Sequence, residues 1–191
     1  MPIKDITRMY AGQKNCGPVA LHIATGLNYQ VIIDSWPGEW EGVSNDRGLL
    51  GLPNDMPCDH YELLNDMNIP YRNITTSDVL NGLAKPEKTV LLIHLVSLPK
   101  NFFQRIINYV KGLFCQHWVV FVGYSPEGDR YFIDWGYNKN IGGDNWVPDL
   151  RSFTRAELQN KLNASWPRCA YVVGEGSDKQ SWIKKIIARF I

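Results

Sequence analysis

The feature that most constrains this chain is a change of apolar period at Thr89. Before it, apolar residues recur at helical spacing. From Thr89 to Leu98 they form a continuous run closed off by Pro86 and Pro99. A run of that length, bounded by breakers, reads as a strand buried on both faces. Phe102, Phe103, Ile106, Ile107 and Val110 then return to helical spacing and predict a helix ending near Leu113. Beyond it, Trp118–Val122 and Tyr131–Ile133 flank the turn sequence Ser125-Pro126-Glu127-Gly128-Asp129, the pattern of an antiparallel hairpin. Helices first and antiparallel strands later predict an α+β fold.

The flanking segments fit that class. A first helix is expected from Cys16 through Val19, Ala20, Leu21, Ile23 and Ala24, ended by Gly26. Pro18 is tolerated in its first turn, where a missing N–H costs nothing. Residues 35–57, rich in Pro, Gly, Asp and Trp, read as an irregular excursion. Asp59 and Glu62 have capping-box spacing ahead of Leu63, Leu64 and Met67, and Pro70 ends that helix. Thr76 or Ser77 is expected to cap a short helix carrying Val79, Leu80 and Leu83. After a long Gly/Asn loop, Thr154 and Glu157 repeat the capping-box spacing before a helix to about Leu162. Ala170–Val173 reads as a last strand, and Ser177 with Gln180 caps a C-terminal amphipathic helix ending at Phe190. That helix is expected to dock on the core, with a partner or membrane surface as the alternative.

At 191 residues, with no repeat or long linker, the chain is expected to form one domain over 1–191. Its net charge of +1 advertises no nucleic-acid partner. No apolar run reaches the roughly 20 residues of a membrane helix, so a membrane partner is not expected. The N-terminus has no apolar core of signal-peptide length, which implies synthesis in the cytoplasm. A signal-peptide-independent secretion route would leave no such mark. The four cysteines, at 16, 58, 115 and 169, form no C-x-x-C pair, so reduced thiols and no metal or cofactor are expected.

The chemistry is concentrated around Gln13-Lys14-Asn15-Cys16-Gly17-Pro18. A cysteine at a helix head meets backbone N–H groups and the positive end of the helix dipole, both of which favour the thiolate. Lowering a thiol pKa from about 8.5 to 6 takes roughly 3.4 kcal/mol. A helix terminus supplies about 0.3–1 kcal/mol, and up to about 2 when partly buried. The remainder requires a cationic partner. His117, at the mouth of the strand Trp118–Val122, suits that role. Asp134 follows three apolar residues on the next strand of the hairpin, a costly place for an unpaired carboxylate. It would fix the tautomer of the histidine and stabilise the imidazolium.

Three blocks, Cys16-Gly17-Pro18-x-Ala20-Leu21, His117-Trp118-Val119-Val120-x-x-Gly123-Tyr124 and Tyr131-x-Ile133-Asp134-x-Gly136, resemble the papain-like cysteine peptidase superfamily. The likeness is nearest to bacteriocin-processing peptidases and papain-like bacterial toxin domains, and it covers about a tenth of the chain. It implies an N-terminal helical lobe bearing the cysteine, packed on an antiparallel sheet bearing the histidine and aspartate. It further implies hydrolysis of a protein or peptide substrate by a Cys16-His117-Asp134 triad, with Trp118, Trp135 and Gly136 against the substrate. By the same resemblance the chain would be a secreted toxin or effector restrained by a cognate immunity protein. One position departs from the pattern. The family's oxyanion glutamine precedes the cysteine by five or six residues, whereas Gln13 precedes it by three and Tyr10 stands sixth. Gln13 and Asn15 are both open as oxyanion donors. Deamidation, transglutamination, cell-wall amide cleavage and leader-peptide processing use the same triad, and a silent peptide-binding module is the non-enzymatic alternative.

The remaining reactive residues have plainer readings. His94 is expected in the core, and His22 at the surface or in packing. Cys58 and His60 make a C-x-H pair without the second pair that a zinc site requires, and Cys115 reads as packing. Trp36, Trp40, Trp135 and Trp146 suit either a groove wall or the rim of the core.

Overall fold

The computed structural model describes residues 16–37, 57–94, 116–139, 146–165 and 168–175. In chain order the elements are α1 (Cys16–Thr25), α2 (Tyr29–Asp34), α3 (Pro57–Asp66), β1 (Tyr71–Asn73), α4 (Thr76–Leu80) and β2 (Thr89–His94). They continue with β3 (Gln116–Tyr124), β4 (Arg130–Lys139), β5 (Trp146–Thr154), α5 (Arg155–Ala164) and β6 (Ala170–Val173). The fold is mixed α+β. Its six strands form one antiparallel sheet in the order β1-β6-β2-β3-β4-β5.

Helices cover both faces of that sheet, and the pleat sorts the apolar residues between them. Val90, Leu92, Trp118, Val120, Tyr171 and Val173 pack with Leu21, Ala24, Ile32, Leu63 and Leu64 from α1, α2 and α3. Their alternates Leu91, Ile93, Val119, Phe121, Ala170 and Val172 pack with Val79, Leu80, Leu158 and Leu162 from α4 and α5. Burial on both faces explains why β2 reads as an unbroken apolar run.

Several local expectations hold. The first helix ends at Thr25, and Gly26 takes φ +75°, the left-handed geometry a helix stop favours in glycine. Thr154 and Glu157 form a capping box on α5. The hairpin pairs Tyr124 with Tyr131 across the expected turn.

Others are corrected. α3 starts at Pro57, so Asp59 lies inside the helix rather than at its cap; proline suits a first helical position. Its end is set by Asn68 at φ 54°, with the Ile69 N–H donating to the Leu64 carbonyl at 2.8 Å, before Pro70 is reached. Thr75, not Thr76 or Ser77, caps α4 in a capping box with Asp78, and Leu83 falls beyond the helix, 53% exposed. The expected loop after β4 contains β5, an edge strand whose Pro148 stands opposite Tyr137. A proline is tolerated on a sheet edge because one side of the strand needs no ladder donor. The helix expected over 102–113, most of the excursion at 35–57 and the C-terminal helix lie outside the described residues. Among the described residues, no helix is long and apolar enough to cross a membrane.

Candidate active site

Cys16 is the first residue of α1, half-buried, and it packs against the core layer that holds Trp118 and Val120. The first turn contains no acidic residue to oppose the helix dipole. Pro18 contributes no N–H, so the donors at the helix head are those of Cys16, Gly17 and Val19. Along the helix, Gly17, Pro18, Val19, Ala20, Leu21 and Ala24 are buried, which ties the head of α1 to the sheet beneath.

α1 is anchored at its far end. It packs chiefly on β3 and also touches β2 and β4. Lys88, just before β2, donates from Nζ to the Ala24 carbonyl at 2.9 Å. That strut holds the C-terminal turn of α1 beside Thr89, which stands opposite Phe121. A ten-residue helix is about 15 Å long. The stretch of β3 from Phe121 back to His117 spans about 13 Å. α1 thus matches in length the stretch of β3 that ends where Ile93 stands opposite His117.

Asp134 and His117 flank a fork in the sheet. Among the described residues, the β3–β4 ladder runs from Tyr124↔Tyr131 to Val120↔Asp134, with a register shift between Phe121 and Gly123. β3 stays paired with β2 as far as Gln116, and β4 stays paired with β5 as far as Lys139. Asp134 thus stands at the apex and His117 three residues out along one prong, each half-buried. A second register shift, between Asp134 and Tyr137, takes in Trp135 and Gly136. Irregularities of this kind re-aim side chains and gather beside active sites.

Strand alternation assigns the faces. Asp134 is the cross-strand neighbour of Val120, so it lies on the α1 face. Its other neighbour, Leu150, is 58% exposed, an apolar side chain in solvent that the sequence reading did not single out. His117 pairs with Ile93, whose side chain belongs to the opposite layer. Strand alternation therefore starts the His117 side chain on the face opposite Cys16, at the mouth of β3 where the ladder to β4 has ended.

Behind that mouth lies a block of rings. Trp118 is 3% exposed and stacks on His60 with ring centroids 4.0 Å apart. The expected substrate contact is thus a core residue, fixed one position from His117. Trp36 is buried too, edge-on to His60 at 5.5 Å, so it belongs to the core and not to a groove wall. His60 is fully buried and shares a 2.6 Å hydrogen bond from Nδ1 with the Tyr171 hydroxyl. It stands at helical spacing from Leu63 and Leu64 on α3, which are buried with it. Tyr61 donates to Asn73 Oδ1 at 2.7 Å and lies 3.1 Å from the Cys169 sulfur. Burial, and then the neighbouring Cys169 thiol, push the Tyr61 phenol well above its ordinary value.

His22 contacts the Leu27 carbonyl through Nδ1 and so helps close the end of α1. Gln13, Asn15, Trp40 and Cys115 lie outside the described residues, as do the side chains of Cys58, His94, Trp135 and Trp146. Compared with protein-family models, curated proteins and solved structures, the chain matches none.

Proposed function

We propose that the protein is a cysteine hydrolase that cleaves peptide bonds in a protein substrate, with Cys16 as nucleophile, His117 as base and Asp134 orienting the imidazole. One observation carries the reading. Cys16 heads a helix that packs chiefly on β3, the strand that bears His117, and Asp134 stands on the α1 face at the apex of the fork. The papain-like resemblance of the three sequence blocks supports the same roles.

His117 takes the thiol proton, and the thiolate attacks the substrate carbonyl carbon. The oxyanion that forms is held by the Cys16 N–H together with a donor from the preceding segment, Gln13 or Asn15. Collapse of this intermediate breaks the C–N bond; the amine leaves with the proton held on His117, and a thioester remains on Cys16. Water then attacks with His117 as base, releasing the carboxylic acid and restoring the thiol. The absence of acidic residues from the first turn of α1 supports thiolate formation. Because the dipole provides at most about 2 kcal/mol of the roughly 3.4 required, the imidazolium must provide about 1.4 kcal/mol or more. The toxin or effector role, with an immunity protein as partner, extends this proposal on the resemblance alone.

Expression of the wild type beside Cys16→Ala in bacterial cytoplasm, with proteome-wide detection of new protein termini, tests the function. New termini that vanish in Cys16→Ala establish a protease. A mass gain of about one dalton on glutamines without chain cleavage would make it a deamidase instead. Identical proteomes from the two strains would remove the hydrolase reading.

A further inference from the structure

On the face of the sheet opposite Cys16, a cavity of about 450 Å³ opens between α4, α5 and the start of β6. Small-molecule sites occupy about 300–1,000 Å³. Ile74, Leu80 and Leu162 belong to the apolar part of its lining, and Arg155, Arg168 and Gln159 to the larger polar part. Among the described residues, no Asp or Glu lines it. The acidic side chains nearest in sequence are committed elsewhere. Asp78 accepts from the Thr75 N–H and hydroxyl at 2.7 and 2.8 Å, and Glu157 accepts from those of Thr154 at 2.8 and 2.9 Å. Among the described residues, neither guanidinium forms an ion pair. Arg155 is held in place by donating to the Leu80 carbonyl and, at 2.9 Å, to Asn81 Oδ1.

Two positive groups beside apolar side chains, with no acidic group in the lining, concentrate positive potential in the cavity. The geometry points to a second ligand site there, for a small organic anion: a carboxylate or phosphate ester on a short apolar body. The Arg168 guanidinium presents paired N–H donors to either headgroup, Arg155 adds its charge, and the apolar lining receives the body. This site is independent of the Cys16 chemistry.

Calorimetric titration of the full chain with phenyl phosphate, benzoate and phenol tests it. Saturable binding of at least one anion is expected at about 1 mM or tighter, with phenol failing to saturate. The tighter of the two anions tells a phosphate site from a carboxylate site. Arg168→Gln, at an exposed position, should weaken that binding at least about tenfold. Gln159→Trp, which fills the cavity with an indole, should abolish it and serves equally if Arg168→Gln does not fold. No saturation by either anion, equal binding of phenol, or wild-type affinity in the folded variants would overturn the site.

Discussion

Replacing Tyr171 by Phe removes one oxygen from the centre of the protein and leaves the ring in place. Tyr171 and His60 are both fully buried, and the hydroxyl lies 2.6 Å from His60 Nδ1. No methylene is deleted, so the cavity contribution is small. The cost is that of taking a hydrogen-bond partner from a buried polar ring, about 1–3 kcal/mol. For a domain of this size that lowers Tm by about 2–4 °C per kcal/mol. Urea unfolding followed by tryptophan fluorescence should show an earlier midpoint with an unchanged slope. Adding His60→Phe to Tyr171→Phe should then cost less than the two single changes summed, because two apolar partners leave no buried donor or acceptor behind. A coupling of about 1 kcal/mol or more is expected from such a cycle. A single-variant loss below about 0.5 kcal/mol, or strict additivity, would refute the claim that this bond fastens α3 to the sheet.

The two capping boxes give a pH signature. Hydrogen bonds from the Thr75 backbone, and then from its hydroxyl, hold Asp78 below the usual carboxylate range; those from Thr154 do the same for Glu157. A carboxyl lowered on folding contributes stability above its unfolded pKa and loses it as pH falls through the folded value. Thr75→Ala and Thr154→Ala should each cost about 1 kcal/mol near neutrality and flatten acid unfolding below about pH 4, as measured by urea midpoints against pH. Lys88→Met cuts the strut to the Ala24 carbonyl and should cost about 1 kcal/mol, with hydrogen exchange rising first in the last turn of α1. On a cleaved peptide substrate, His117→Ala should lower turnover by about 10²–10⁴, and Asp134→Asn by less than His117→Ala. Equal turnover in wild type and His117→Ala would remove the histidine from the mechanism.

What the sequence disclosed was local. Thr154 with Glu157, the Pro18 and Gly26 limits of α1, and the proline-bounded run of β2 each carry their signal within a few residues. The losses have physical causes. β1 is only three residues long, too short for alternation to register. β5 contains Pro148 and Asp149, which weigh against a strand unless its edge position is known. The sheet order was not legible, because β6 enters between β1 and β2 through contacts about eighty to a hundred residues apart. The same limit applied at the site. Sequence placed Cys16 at a helix head and Asp134 on a strand beyond His117, but the fork depends on two register shifts that leave no residue signature. The resemblance implied a substrate contact for Trp118, yet the ring stacks on His60, some sixty positions away, and is buried.

The imidazole of His117 must cross the strand mouth to meet the Cys16 sulfur, and the rate of iodoacetamide capture at Cys16 between pH 4 and 9 measures whether it does. Thiolate persisting at about pH 6 in the wild type, with the inflection moving up toward 8.5 in His117→Ala, is the expected result. An inflection near 8.5 in both proteins would mean that ring and sulfur never pair, and the hydrolase reading would fall with it.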